Sequence, residues 1–237
     1  MGRGDGRGRG GPTTDTVDGR AAVAGVSFDL FGTLVDADTP ADPAAAVAAE
    51  LRDRGVVVPD DWADAYAEAH LEYGPGVERP LHHHVAAALA SRASEREPRE
   101  FVDDAGVAVA AAFDRPVETR PGAVEAVAAL SGEYPVGVCS NCSVPGLVGR
   151  ALERSALDPG AFDAVVASVD RGRRKPAARA FEAIADGLCV PVDRLLHVGD
   201  DPETDGGVRE AGGRFVRVGA EGVSLRELPA VVDERWG

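Results

Sequence analysis

The sequence predicts an α/β protein, a parallel sheet wound with helices that carries one helical insertion after its first strand. Three observations predict it. Short apolar runs, each reading as a fully buried strand, fall at residues 21–28, 135–139, 164–167, 194–198 and 214–218. From about residue 119, helical periodicity separates successive runs, the alternation that builds a parallel sheet through right-handed crossovers. Residues 42–115 interrupt that order with Ala-rich helical spacing and no convincing strand.

Taken in order, residues 1–20 are rich in Gly, Arg and Thr and nearly devoid of apolar side chains, so a disordered tail is expected. The first apolar run ends in Asp29-Leu-Phe-Gly-Thr-Leu-Val-Asp36, where Gly32 permits a sharp turn. The next block has helical spacing around Val47, Leu51, Trp62, Tyr66, Leu71, Val85 and Phe101, broken by Pro and Gly, which predicts three or four helices. Helices are then expected over 122–132, 144–155, 176–187 and 204–211, between the later strands. The resulting division is a core of residues 21–36 and 119–237, with residues 37–118 inserted as a helical unit.

At 237 residues the chain can hold such a core and insertion with ample interior. No apolar run approaches the roughly 20 residues of a membrane helix, and the N-terminus lacks the apolar stretch of a secretory signal; a cytoplasmic protein is expected. The net charge of −15 repels nucleic acid and anionic membranes, so neither is an expected partner. An anionic small molecule must then be drawn in by a local cation or a metal. The acidic, lysine-poor composition resembles that of salt-adapted proteins. Of 25 basic residues 24 are Arg, and the single Lys is Lys175. Arg presents a broad planar fork and Lys a compact ammonium, so the two do not interchange at a tight site.

In an open parallel sheet the ligand crevice lies beyond the carboxyl ends of the strands. Asp29 follows the first strand, Ser140-Asn141 the second, and Gly199-Asp200-Asp201-Pro-Glu-Thr-Asp205 the strand ending near Val198. Lys175 opens a helix between them, on the same edge. This set suits attack on an electrophile beside an oxyanion. Asp29 can form a covalent intermediate, as carboxylates do in aspartyl-phosphate chemistry. Ser140 and Asn141 can hold a phosphoryl oxygen, and Lys175 can neutralise both Asp29 and the substrate. Asp200 with Asp201 or Asp205 can bind Mg²⁺, which takes carboxylates plus waters.

These residues resemble the four motifs of the haloacid dehalogenase-like hydrolases. The match is Phe28-Asp-Leu-Phe-Gly-Thr-Leu-Val-Asp36, Val138-Cys-Ser140-Asn141, Lys175-Pro176 and Val198-Gly-Asp-Asp-Pro-Glu-Thr-Asp205, in order and spacing, over about residues 21–218. The resemblance implies a Rossmann-like core with the insertion as a helical cap. It implies Asp29 as nucleophile, Lys175 as charge-balancing residue, and a Mg²⁺ site formed by Asp29, the Phe31 backbone carbonyl and Asp200, with Asp201 and Asp205 beside them. Phe31, Gly32, Thr33, Asn141 and Arg174 are the expected substrate contacts. One position departs. Phosphatases of the family usually carry a second Asp two residues after the nucleophile, where this chain has Phe31. The family's metal-independent dehalogenases have an aromatic residue there and a Ser-Asn pair, but typically lose part of the acidic fourth motif, which this chain keeps. Three clustered carboxylates repel unless a cation sits among them, so the acidic cluster weighs more. A Mg²⁺-dependent phosphatase of a small phosphorylated metabolite is therefore expected. A metal-independent 2-haloacid dehalogenase using Asp29 against carbon, and a catalytically weak binding protein of the same fold, are the alternatives.

The remaining features read as structural. Cys139 and Cys142 form a CxxC without a second pair, so structural thiols rank ahead of a redox pair or zinc site. His82-His83-His84 cannot converge on one ion, because consecutive helical residues point about 100° apart. His197 lies within a strand and reads as a satisfied core residue. Asp36 and Asp38 read as caps of the hinge into the insertion. Trp62 and Tyr66 read first as packing within the insertion and second as a substrate wall. Arg171, Arg173 and Arg174 suit either a second anionic group of the substrate or pairing with acidic surface.

Overall fold

The structure is a computed structural model that describes residues 16–17, 20–94 and 96–236. The expected tail over residues 1–20 lies mostly outside the described residues; within it, Thr16–Val17 pairs antiparallel with Arg20–Ala21. The core is a five-stranded parallel sheet of β1 (Gly25–Phe28), β4 (Val136–Ser140), β5 (Ala164–Ala167), β6 (Leu195–Gly199) and β7 (Arg214–Arg217). Their order is β5-β4-β1-β6-β7, with β1 at the centre. Every residue of β1, β4 and β6 is buried, as strands covered on both faces must be. That burial forces polar strand residues to pair with one another. Ser27 and His197 stand opposite in register and hydrogen-bond at 2.8 Å.

Register also places the site. Phe28 pairs with Val138 on one side and Val198 on the other, so Asp29, Cys139 and Gly199 stand level at the carboxyl edge. Ser140 and Asp200 come one step further along their strands. The sheet is flanked by α5 (Ala123–Ser131), α6 (Leu147–Arg154), the short α7 (Ser168–Arg171), α8 (Ala178–Gly187) and α9 (Leu228–Trp236).

The chain leaves the core through β2 (Val35–Ala37) and re-enters through β3 (Val117–Thr119), which pair antiparallel as a ribbon. Between them lie α1 (Pro43–Asp53), α2 (Trp62–Ala67), α3 (Leu81–Ala90) and α4 (Val102–Ala112). Asp42 caps α1 by accepting from the Ala45 N–H at 2.9 Å, with Pro43 at the first turn where no donor is needed. Val47, Ala48 and Leu51 of α1 are buried, as are Ala105, Ala108, Val109 and Ala112 of α4. Small side chains at those positions let the two helices approach closely. Trp62 is buried and donates its indole N–H to the Ala44 carbonyl at 2.8 Å, while Tyr66 packs on the same core, their first reading. No helix of the described residues is long and apolar enough to cross a membrane.

Two elements differ from expectation. The segment expected as a helix over 204–211 is a five-residue 3₁₀ turn, Asp205–Arg209. Gly206 and Gly207 are poor helix formers, and Gly207 sits so close to Pro176 that a side chain would collide with it. Helix α9 went unread in the sequence, yet it buries Leu228 and Val232 and packs on α5.

Candidate active site

Asp29 leaves the end of β1 with its N–H bonded to the Val198 carbonyl at 2.8 Å, which fixes its backbone against β6. The residue is 8% exposed. Lys175, 2% exposed, places Nζ 2.8 Å from Asp29 Oδ1 and 2.6 Å from Asp205 Oδ1. Burial opposes the charge of Lys175, but Asp29 and Asp205 outweigh it and hold its pKa above the ordinary value. Burial pushes Asp29 up to about 6, Lys175 pulling the other way and Asp205 adding to the rise.

Asp205 is fully engaged with protein donors. Oδ1 takes Lys175 and His197 Nε2 at 3.2 Å; Oδ2 takes the Asp201 N–H at 3.2 Å. Burial brings His197 down to about 4, so the ring is neutral near pH 7. With Nε2–H given to Asp205, Nδ1 accepts from the Ser27 hydroxyl. The expected core histidine thus carries a second duty, holding Asp205 against Lys175. Gly199 makes room for this, since a Cβ there would fall on the Asp205 carboxylate.

Asp200 accepts from Thr33 Oγ1 at Oδ1, 3.0 Å away. Gly32 has φ +86°, a left-handed conformation suited to glycine, and a Cβ there would stand 2.8 Å from Asp200 Oδ2. Asp29, Asp200 and Asp205 offer ligand atoms all within 4.8 Å of one another. Asp201 turns elsewhere: its oxygens accept from the Glu203 N–H at 2.8 Å and the Thr204 hydroxyl at 3.0 Å within its own loop. Ser140 Oγ is buried at the sheet edge and makes no hydrogen bond to any described group. Asn141 is spent on the backbone of Lys175, accepting from its N–H at 2.8 Å and donating to its carbonyl at 3.0 Å.

Phe31 lines a cavity of about 270 Å³ between core and insertion. Phe113, Val117, Val144 and Leu147 add apolar wall, and Arg115 and Asp38 its charges. Gly32 and Thr33 face a smaller hollow with Arg120. Arg174 is half-buried, is absent from the lining of both, and gives its N–H to the Gly76 carbonyl at 3.1 Å. Arg171 and Arg173 share a surface hollow with Arg179, Glu182 and Asp186. Cys139 and Cys142 are free buried thiols, and burial drives Cys139 up to about 12, far from a reactive thiolate. Asp36 faces Arg120 at 3.5 Å. Arg120 also donates to the Gly32 carbonyl and its N–H bonds the Leu34 carbonyl at 3.0 Å, so one residue of the return ribbon braces the loop after the nucleophile. No sequence signal marked it.

A family model described as haloacid dehalogenase-like hydrolase matches residues 23–212. The chain belongs to the haloacid dehalogenase-like hydrolases. Solved structures similar to it include a 2-haloacid dehalogenase from Pseudomonas syringae, 21% identical, with TM-score 0.61, covering 91% of this chain and 100% of that one. A protein described as a predicted phosphoglycolate phosphatase from Haemophilus somnus is 17% identical with TM-score 0.56, over 88% of this chain and 97% of that one. A magnesium-bound hydrolase of the family from Bacillus subtilis is 17% identical with TM-score 0.51, over 90% and 99%. At these identities the likeness shows the fold, an α/β core built on a parallel sheet. No curated protein sequence matches the chain.

The donor set fits a divalent cation. Lys175 pairs with Asp29 and Asp205, while Asp200, whose ligand oxygen lies within 4.8 Å of theirs, shares no ion pair with it. Asp29 Oδ2 and Asp200 Oδ2 are the oxygens not taken up by Lys175 or Thr33. Asp205 closes the cluster but is committed to Lys175 and His197.

Proposed function

We propose that this hydrolase is a Mg²⁺-dependent phosphatase of a small phosphorylated metabolite, working through an aspartyl-phosphate on Asp29. The excess of carboxylate beside Lys175, with Asp200 held by Thr33 and open on its second oxygen, carries the reading. In a dehalogenase that needs no metal, Asp200 would bring a further carboxylate to the cluster, offset on its side chain by the Thr33 hydroxyl.

Asp29 Oδ1 is tethered by Lys175, which leaves Oδ2 to attack phosphorus. The P–O bond to the leaving group breaks as the new P–O bond to Asp29 forms. Ser140 Oγ, with no hydrogen-bond partner among the described residues, donates to a phosphoryl oxygen. Asp29, Asp200 and the Phe31 carbonyl would hold Mg²⁺, which when bound would supply charge neutralisation at the transferring group. Water then opens the acyl phosphate, releasing phosphate and restoring the Asp29 carboxylate. Phe31 moves no proton, so the leaving oxygen takes its proton from water or from the insertion. This sacrifices a contribution typically worth ~10²–10⁴-fold and favours substrates with good leaving groups.

Phe31 and the apolar wall it shares with Phe113, Val117, Val144 and Leu147 favour a second reading. There Asp29 attacks the carbon of a short 2-halo acid, halide departs with the C–X electron pair, and water hydrolyses the ester. A phosphomonoester screen with Mg²⁺ in high salt, run beside Asp29→Asn, tests the proposal. Phosphate release that chelator abolishes supports it. Halide release that persists in chelator overturns it. Ligand binding without turnover of either class makes the chain a binding protein.

A further inference from the structure

Glu78 is a carboxylate 3% exposed, in the stretch between α2 and α3 of the insertion, far in sequence from every motif. Oε1 accepts from the Arg79 N–H at 2.8 Å, and Oε2 accepts from the hydroxyl of Ser168, itself 2% exposed at the end of β5. Ser168 Oγ accepts in turn from the Cys142 N–H at 2.8 Å. Cys142 follows Asn141, whose side chain clamps the backbone of Lys175. A buried chain of hydrogen bonds therefore runs from the insertion to the ammonium-bearing loop.

The backbone around Glu78 is attached to the same two loops. The Glu78 N–H bonds the Gly172 carbonyl at 3.1 Å, Val77 bridges Arg173, and the Gly76 carbonyl takes the Arg174 N–H at 3.1 Å. The Leu81 N–H bonds the Ser143 carbonyl at 2.9 Å. Residues 76–81 are thus fastened to 141–143 on one side and 172–174 on the other.

We infer that Glu78 is a positioning residue, through which the helical insertion sets the geometry of the Asn141–Lys175 clamp in the core. Its carboxylate hydrogen-bonds Arg79 and Ser168 rather than Asp29, and it is not among the residues that line the cavity. A carboxylate there accepts at both oxygens, from Arg79 and from Ser168; a carboxamide accepts at one only. The Ser168 hydroxyl then turns from Glu78 to the Cys142 carbonyl, 3.3 Å away, its hold on the Cys142 N–H shifts with it, and Asn141 and Nζ of Lys175 are displaced in turn. The inference rests on the proposed roles of Asp29 and Lys175.

Glu78→Gln, Ser168→Ala and the double variant test it, with Mg²⁺-dependent phosphomonoester turnover and hydrogen exchange read on each. Residues that orient a catalytic group typically cost ~10–100-fold when removed. We expect kcat to fall on that order for each single variant while KM moves less than about threefold. The double variant should lose little more than the worse single, because both break one chain. Exchange should quicken at 141–143 and 172–175 and stay unchanged in α1 and α4. Independent losses that multiply, kcat within about twofold of wild type, or faster exchange throughout the insertion would each overturn it. If the wild type releases no phosphate, the phosphatase reading fails instead, and the exchange pattern alone decides the role of Glu78.

Discussion

Asn141 grips the peptide of Lys175 at two points, its carbonyl oxygen 2.8 Å from the Lys175 N–H and its amide nitrogen 3.0 Å from the Lys175 carbonyl. The lysine is therefore located by its backbone before its side chain meets any carboxylate. From β4, the clamp ties the loop of the second motif to that of the third. Its consequence is a Nζ held between Asp29 and Asp205 with no slack at either distance.

Lys175→Arg keeps the charge but asks a broad planar fork to enter a pocket closed around a compact ammonium. Misplacement by about 1 Å costs on the order of 10²-fold, and turnover should fall by that much. Lys175→Met leaves two buried carboxylates facing one another and should cost about 3–5 kcal/mol in denaturant titration. A fully active Lys175→Arg enzyme would make the single lysine an accident of composition.

Gly32→Ala strains a backbone at φ +86° and drives a methyl against Asp200 Oδ2. The left-handed conformation alone costs about 1–2 kcal/mol for a residue with a Cβ. Thermal unfolding should show that loss, and Mg²⁺ affinity measured by calorimetry should weaken about tenfold. Unchanged Mg²⁺ affinity would remove Asp200 from the cation site.

Phe31→Asp restores a proton-transferring group two residues after the nucleophile. For a phosphatase, kcat on esters with poor leaving groups should rise, up to the ~10²-fold a positioned acid typically contributes. Rates on activated aryl esters should change little. A uniform fall on both classes, with halide release in the wild type, would favour attack on carbon.

The pH dependence of stability pits two buried groups against each other. His197 is held at about 4 by burial, against 6.5 ordinarily, so the unfolded chain takes its proton first and stability falls as pH drops from 6.5 to 4. Asp29, raised from 3.8 to about 6, works oppositely: the folded state takes its proton first, adding stability below pH 6 that is lost as pH rises through that value. In chelator, Asp29→Asn removes the second effect. Its melting temperature should therefore fall more steeply than that of wild type between about pH 6.5 and 4.5. A slope no steeper than wild type would contradict the assignment.

The strands and most helices of the core were legible because buried parallel strands write continuous apolar runs, as at 135–139 and 194–198. Helix α9 was missed since only Leu228 and Val232 of its short run are buried, too few to write a helical period. The 3₁₀ turn at Asp205–Arg209 took its form from packing on Pro176, a contact with a residue distant in the chain.

By itself the sequence determined the α/β class, the order of the motifs, and the meeting of Asp29, Ser140, Lys175 and Asp200 at one edge. Parallel pairing brings Asp29, Ser140 and Asp200 there, since every strand then ends on the same side, and Lys175 reaches them from the loop before α8. Only the tertiary structure decided how the acidic residues divide their work. Asp205 turns to Lys175 and His197, Asp201 to its own loop, and Asp200 to Thr33. These choices depend on which donors come within about 3 Å once the loops are packed, a matter of angle and distance that spacing along the chain leaves open. The same holds for Glu78 and Arg120, single charged residues whose partners lie about ninety residues away in the chain.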